Sequence, residues 1–217
     1  MKTLKNFCSN FYYNKPLFES TNFRAIPSLG SLVEGWILIV PKKHYISIGA
    51  INEPELYKEL NSFIEVASKI IYKEFGKFIV FEHGPSAEKT VVGCGVDYAH
   101  IHVVPFEFLF SDLISNYSSD FFWEISSDVT QCSKYALSSI PYLYFQDSNG
   151  NKYIGTSQVI PSQFFRKIIA TRINKSNYFD WKRHPFLNNI NATYKRLENI
   201  KVEIQESKFE LHGGDYV

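Results

Sequence analysis

The sequence predicts an α+β fold, and three patterns in the 217-residue chain point to it. Short runs of β-branched and aromatic residues, closed by proline or glycine, are typical of buried strands. One long segment instead repeats its apolar residues every three or four positions, which is typical of a helix that packs on one face. Further on, the dipeptide Asn149-Gly150 stands between two strand-like runs and predicts a hairpin.

Three strands are predicted in the first half of the chain, at residues 34–41, 77–82 and 99–106. The first is rich in β-branched and aromatic residues and is closed by Pro41. The second has almost no polar alternation, which is expected of a strand covered on both faces.

A helix of about five turns is predicted between the first two strands. Asn52 is a candidate cap, Pro54 suits the first turn, and Gly76 is expected to end the helix. The expected inward stripe comprises Leu56, Leu60, Phe63, Ile64, Ala67, Ile70 and Ile71.

The second half predicts a hairpin followed by two helices. The paired strands are expected at residues 141–146 and 152–155, and the helices at residues 161–172 and 184–200. We expect this hairpin and its helices to pack on the sheet of the first half, with the helices of that sheet on one side.

Net charge argues against a uniformly basic nucleic-acid binder, since 23 Lys and Arg face 22 Asp and Glu. Residues 160–202, however, hold nine basic and only two acidic residues and therefore carry +7. Such a segment indicates either a local anionic partner, such as phosphate, or a face that pairs with the acidic remainder. Both readings stay open at this point.

The chain predicts a soluble cytoplasmic protein. No apolar run approaches the ~20 residues that a membrane helix needs, and the first 20 residues have no continuous apolar segment typical of a secretory signal. Three widely spaced cysteines favour neither a disulfide framework nor a structural zinc site.

Candidate chemistry centres on His100 and His102. Residues two apart in a strand project to the same face, so both imidazoles and Tyr98 are expected to share one side of the sheet. An unpaired buried ring nitrogen costs about 1–3 kcal/mol, so two imidazoles together are an unusual way to fill a core. They are therefore candidate site residues.

A metal site is the less favoured reading of the two histidines. With Glu107 they match the spacing H-x-H-x4-E of cupin metal sites. That pattern also expects glycine six positions before the first histidine and seven after the glutamate, where Cys94 and Ile114 stand. No metal and no cofactor are therefore expected.

The segment Tyr98-Ala-His-Ile-His-Val-Val104 resembles the signature of the histidine-triad family of nucleotide hydrolases and transferases, in which histidines alternate with apolar residues. A second match is the strand that ends in Pro-Lys-Lys-His44, since this family has a Pro-Lys-x-His turn there. The predicted helix and second strand lie between the two motifs in the family's order. The resemblance covers about residues 20–108 and implies a mostly antiparallel sheet.

The resemblance also implies roles for individual residues. His100 stands at the nucleophile position, and His102 would hold phosphate oxygens or protonate the leaving group. Backbone N–H groups of Gly93, Cys94 and Gly95 stand where the family has a glycine-rich phosphate loop. A neutral imidazole can attack an α-phosphorus and hold the nucleotidyl group until water or another acceptor removes it.

Tyr98 departs from the family, which has histidine at the first triad position. A phenol can donate to phosphate or orient His100, but it does not become a cation near neutral pH. His83 could restore an imidazole to the site, although a lone histidine in the loop expected there is more often exposed. Arg166, near the start of a predicted helix, could bind phosphate through its guanidinium.

These residues predict two domains, a histidine-triad-like catalytic domain at residues 1–115 and an extension at residues 116–217. The predicted function is a nucleotide hydrolase or nucleotidyltransferase that acts on purine nucleoside phosphates or dinucleoside polyphosphates. The alternatives are a nucleotide-binding module with weak turnover and a nucleic-acid end-processing enzyme that uses the basic extension. The expected partner is a nucleotide, with nucleic acid less favoured, no membrane, and a homodimer left open.

Overall fold

Eight strands form one sheet in the computed structural model, which describes residues 15–88, 97–117 and 120–200. The strands are β1 (Phe18–Glu19), β2 (Phe23–Pro27), β3 (Ile37–Pro41), β4 (Phe78–Gly84), β5 (Ile101–Pro105), β6 (Phe122–Ser126), β7 (Tyr142–Gln146) and β8 (Lys152–Thr156). Their order in the sheet is β1-β2-β3-β5-β4-β7-β8-β6, and all of these pairings are antiparallel. The predicted α+β class with a mostly antiparallel sheet is confirmed.

Five α-helices accompany the sheet in the described ranges. They are α1 (Pro54–Phe75), α2 (Phe110–Tyr117), α3 (Cys132–Leu137), α4 (Phe164–Arg172) and α5 (Leu187–Leu197). The helix α1 buries the predicted apolar stripe apart from the partly buried Leu56, and Gly76 ends it with a φ of 87° that favours glycine. Its N-cap residue is Glu53 rather than Asn52, and the Glu53 carboxylate binds Lys43 and Tyr45 instead of capping the helix.

The two C-terminal helices begin a few residues later than the sequence predicts. Gln163 has a φ of 57° and Phe186 a φ of 50°, both in the left-handed region. A residue in that conformation cannot continue a right-handed helix, so α4 begins at Phe164 and α5 at Leu187.

Helices cover both faces of the sheet, with α1 of the first half on one face and α4 of the C-terminal extension on the other. On β4, Val80 joins the apolar cluster that contains α1, whereas its neighbour Phe81 joins the cluster that contains α4. Successive side chains of a strand point to opposite faces, so α1 and α4 pack on opposite sides. The α4 face is the one that carries the candidate histidines.

The two halves of the chain share this sheet. The strand β7 of the predicted hairpin pairs with β4 over five residues, and β8 continues the hairpin. The predicted domain boundary after residue 115 falls within α2. In the described ranges, no helix is both long and apolar enough to cross a membrane.

Candidate functional site

Three histidines meet on the α4 face. His102 lies on β5 and His100 immediately before it, with 4.8 Å between the two ring centroids. His83 lies on the neighbouring strand β4, and its ring centroid is 6.3 Å from that of His102. Antiparallel pairing of Phe81 with His102 brings these strands together. The site therefore holds three imidazoles, two from the expected motif and one from β4.

His100 has one ring nitrogen committed to the backbone. Its Nδ1 lies 2.7 Å from the carbonyl oxygen of Tyr98. Because a carbonyl can only accept, Nδ1 must carry the hydrogen, and in the neutral ring Nε2 then keeps its lone pair. Burial lowers the pKa of His100, the bond to Tyr98 opposes that shift, and the Arg166 charge adds to it. Although part of His100 remains exposed, the surrounding side chains desolvate its ring enough to lower the pKa, and the ring is neutral near pH 7.

His102 takes the opposite tautomer. The indole Nε1–H of Trp36 donates to Nδ1 of His102 over 2.9 Å. Since Nδ1 accepts, the hydrogen of the neutral ring lies on Nε2. Burial, followed by the charges of His100, His83 and Arg166, holds the pKa of His102 well below its usual range. Its ring stacks on Phe81, with 4.4 Å between centroids.

His83 is buried in a strand rather than exposed in a loop. Its Nε2 accepts the backbone N–H of Phe165, in the first turn of α4, over 3.4 Å. The neutral ring therefore carries its hydrogen on Nδ1. Burial, assisted by the charges of His100 and Arg166, lowers the pKa of His83 to about 3.

The buried His83 makes stability depend on pH. Its pKa rises from about 3 in the folded chain to the ordinary 6.5 on unfolding, so the unfolded state binds more protons and stability falls as the pH drops from 6.5 towards 3. One pKa unit corresponds to about 1.4 kcal/mol. Urea titrations at pH 7 and pH 5 give the unfolding free energy of each chain at both pH values. From pH 7 to pH 5, we expect this free energy to fall by about 2 kcal/mol less in His83→Gln than in the original chain.

Equal losses for His83→Gln and the original chain would contradict the expected protonation of His83 on unfolding. Glutamine can still accept the N–H of Phe165, so that contact need not be lost.

Tyr98 lies in a bend before β5 and is tied to β3 by its side chain. The phenol hydroxyl donates to the carbonyl oxygen of Pro41 over 2.8 Å, with that of Lys42 at 3.2 Å. Its backbone carbonyl, in turn, accepts the Nδ1–H of His100. The side chain of Tyr98 thus holds the segment that orients His100. Its hydroxyl hydrogen is bound by the backbone of Pro41 and Lys42, which we call the β3 turn.

Arg166 is a buried cation between the site and the C-terminal loops. It is 1% exposed, and its guanidinium lies 4.7 Å from the centroid of the Trp36 ring. The Nε–H donates to the carbonyl oxygen of Phe179 over 3.0 Å, and a terminal N–H donates to that of Gly30. Its charge helps to lower the pKa of all three site histidines. The guanidinium therefore connects α4 to the segments that contain Gly30 and Phe179, and its charge acts on the three histidines.

The neighbour of His83 on β4, Glu82, points to the other face. Its carboxylate accepts the N–H of Ile48 over 2.6 Å and the hydroxyl hydrogen of Tyr142 over 2.7 Å. Burial raises the pKa of Glu82 to about 7, although both hydrogen bonds oppose the shift. Glu82 thus belongs to the α1 side of the sheet and not to the histidine cluster.

Three further features bear on the predicted site: the phosphate loop, a possible metal ion and the cavities of the fold. The predicted phosphate loop at Gly93, Cys94 and Gly95 lies outside the described residues. In the described part of the chain, no group of three or more His, Cys, Asp or Glu is arranged to hold a metal ion. A cavity of about 640 Å³ lies between α1 and α3, and no histidine lines it.

Two described arginines of residues 160–202 form ion pairs with acidic residues outside this segment. Arg172 lies 3.6 Å from Asp112, and Arg196 lies 3.2 Å from Glu74. Lys167 and Lys175 lie over the rings of Phe179 and Phe186. The two arginine ion pairs favour the interpretation in which the basic segment pairs with the acidic remainder, whereas the two lysine contacts lie within the segment itself.

Sequence reasoning missed Trp36 as a residue of the site. Its side chain is completely buried, and the residue lies just before β3 within the predicted strand. One sequence signal could have indicated this role. Trp36 stands in the predicted strand that ends in the Pro-Lys-Lys-His44 motif, and a buried indole N–H usually has a hydrogen-bond partner.

Comparisons with known proteins return two solved structures of interest. One is a hypothetical histidine triad nucleotide-binding protein from Sulfolobus tokodaii strain 7, with 21% identity and a TM-score of 0.36 over 48% of this chain and 65% of that one. The other is a Hit-like protein involved in cell-cycle regulation from Bartonella henselae, solved with an unknown ligand, with 14% identity and a TM-score of 0.35 over 64% and 93%. The chain thus spans less than two thirds of the first.

No protein-family model matches the chain, and no curated protein matches it.

Proposed function

We propose that the chain is a nucleotide hydrolase or nucleotidyltransferase of histidine-triad type, with His100 as the nucleophile. The observation that carries the proposal is the hydrogen bond from His100 Nδ1 to the Tyr98 carbonyl, 2.7 Å long. It leaves a neutral imidazole whose lone pair lies on Nε2. The sequence motif around His100 supports the same role, and purine nucleoside phosphates or dinucleoside polyphosphates are the proposed substrates.

In the first step, the Nε2 lone pair of His100 forms a bond to the α-phosphorus while the bond to the leaving group breaks. The leaving group departs with the bonding electron pair and takes a proton from His102 or from the solvent. The His100 ring then bears a positive charge, which the Tyr98 carbonyl stabilises through the Nδ1–H. In the second step, water or another acceptor attacks phosphorus and releases its proton to the solvent. The bond from phosphorus to Nε2 breaks, and the electron pair returns to His100.

Other groups of the site are proposed to bind the phosphate. His102 offers its Nε2–H, because Nδ1 already accepts from Trp36. His83 supplies a third imidazole beside His102, and Arg166 adds positive charge near all three rings. Backbone N–H groups at Gly93, Cys94 and Gly95 remain the proposed phosphate loop. Tyr98 acts through its carbonyl and through its bond to the β3 turn.

Intact-mass spectrometry tests this proposal directly. After brief incubation with AMP-morpholidate or a dinucleoside polyphosphate and an acid-free quench, we expect a population that carries one nucleotidyl group. The adduct should disappear in His100→Ala and persist in His184→Ala, which removes an imidazole that contacts Tyr178 and Phe186.

The test also separates catalysis from simple binding. Tight nucleotide binding with neither adduct nor product would overturn the proposal and favour a binding module without turnover. The same adduct in His100→Ala would also contradict it, because another group would then be the nucleophile.

A further inference from the structure

Trp36 contacts His102 through a group that can act in one direction only. The indole Nε1 lies 2.9 Å from Nδ1 of His102, and the two rings meet edge to face with 5.6 Å between centroids. An indole N–H donates and cannot accept. His102 Nδ1 must therefore accept, whatever else the histidine does.

The surroundings of Trp36 fix the direction of its N–H. The side chain is completely buried, the Arg166 guanidinium lies over the ring at 4.7 Å, and Phe81 meets the ring edge to face at 6.0 Å. Rotation of the indole away from His102 would disrupt these contacts. The hydrogen bond is thus built into the packing of the face.

The other tautomer of His102 would bring two N–H groups together at the same 2.9 Å. Both would lose their partner inside the protein, because each can only donate. Loss of a buried hydrogen bond corresponds to an equilibrium factor of roughly 5 to 150. The buried neutral His102 is held as the Nε2–H form by that margin.

We propose that Trp36 is a positioning residue that fixes the tautomer of His102 and thereby makes His102 a hydrogen-bond donor at the nucleotidyl-transfer site. This inference rests on the proposed function of His100 and His102. Trp36 acts through His102 and needs no contact with the substrate. Tyr98 holds His100 in the opposite tautomer. Of the two neighbouring imidazoles, His100 therefore presents a lone pair for attack on phosphorus, and His102 presents an N–H that donates a hydrogen bond.

The test replaces one indole that donates and one that does not. Trp36→Phe keeps an aromatic ring and removes the N–H. Trp123→Phe is the matched control, since the buried Nε1 of Trp123 has no hydrogen-bond partner among the described residues. Ring-nitrogen chemical shifts of His102, measured by long-range ¹H–¹⁵N NMR, report the tautomer independently of activity.

We expect His102 to be the Nε2–H form in the original chain and in Trp123→Phe, and a mixture of both forms in Trp36→Phe. With AMP-morpholidate as substrate, kcat of Trp36→Phe should fall about 10- to 100-fold, whereas KM should change by less than about threefold. Trp123→Phe should leave both constants close to their original values.

Three results would overturn the inference. They are an Nδ1–H form of His102 in the original chain, an unchanged tautomer in Trp36→Phe, and a shifted tautomer with unchanged kcat. If Trp36→Phe does not fold, the spectrum of the original chain still decides the tautomer. If no nucleotide is turned over, the proposed function fails, and the tautomer measurements still show separately whether Trp36 controls His102.

Discussion

Replacement of His100 by alanine should lower kcat on AMP-morpholidate by about a thousandfold or more, as expected when a nucleophile is removed. The reason is geometric, since the Nδ1–H of His100 is held by the Tyr98 carbonyl and its Nε2 keeps a lone pair. Neither His102 nor His83 can substitute. The His102 proton lies on Nε2, and Nε2 of His83 already accepts the N–H of Phe165.

The pH dependence of the same reaction supplies a second check. Burial lowers the pKa of His100 from 6.5, and a protonated imidazole has no lone pair with which to attack. The acid limb of kcat/KM should therefore lie below pH 6.5, with activity falling as the pH drops through the lowered pKa. Steady-state rates between pH 4.5 and 8 measure it.

Two results would count against this role for His100. One is turnover in His100→Ala within about tenfold of the original chain, with its folded state verified by circular dichroism. The other is an acid limb well above pH 6.5.

Free imidazole added to His100→Ala should restore part of the activity, since it can enter the space left by the ring and attack phosphorus in its place.

The sequence predicts that His100 and His102 lie on the same face of the sheet, because their spacing alone determines this. Two residues separated by one position along a strand point the same way in any sheet. The long helix α1 was predictable for a similar reason, because its apolar repeat is local in the sequence.

His83 could not be placed in the same way. Its position beside His102 depends on the register of β4 against β5, where Phe81 pairs with His102. Local residues do not encode that register. The cover that α4 provides depends on the pairing of β7 with β4, across some 60 residues of chain. Both features are set by long-range pairing, and so is the contact of Trp36 with His102.

The short strands β2 and β6 could not be predicted for a different physical reason. The strand β6 has the exposed side chains Phe122 and Ile125 and forms one edge of the sheet. It therefore lacks the alternation of buried and exposed residues that marks a half-buried strand. The strand β2 is apolar apart from Arg24, but it is only five residues long and ends at Pro27, so it is too short to be distinguished by its pattern.

Arg166→Leu should lower the free energy of unfolding by about 2–5 kcal/mol, because two carbonyl acceptors each lose a hydrogen bond from a buried donor, at about 1–3 kcal/mol apiece. The carbonyl groups of Phe179 and Gly30 each accept from this guanidinium, which also covers the face of Trp36. Leucine fills part of the volume but donates no hydrogen bond. Chemical denaturation at pH 7 measures the loss.

The conservative variant Arg166→Lys should also be destabilised, by a smaller amount. An ammonium retains the charge, but it cannot present the planar fork that reaches two carbonyl groups and stacks on an indole. Arg183→Leu is the matched control from the same basic segment. Its side chain is 82% exposed and lies 3.6 Å from Asp180, so its effect should stay within about 0.5 kcal/mol.

The comparison of stability with kinetics decides what Arg166 does. If it bound phosphate as a direct contact and contributed little to the fold, Arg166→Leu would raise KM while its unfolding free energy stayed unchanged. Its hydrogen bonds to Gly30 and Phe179 instead predict loss of stability in both variants. Because Arg166→Lys keeps a positive charge near the three histidines, it should retain more nucleotide affinity than Arg166→Leu at equal folded concentration. Equal affinity of the two would show that the charge of Arg166 does not act on the phosphate.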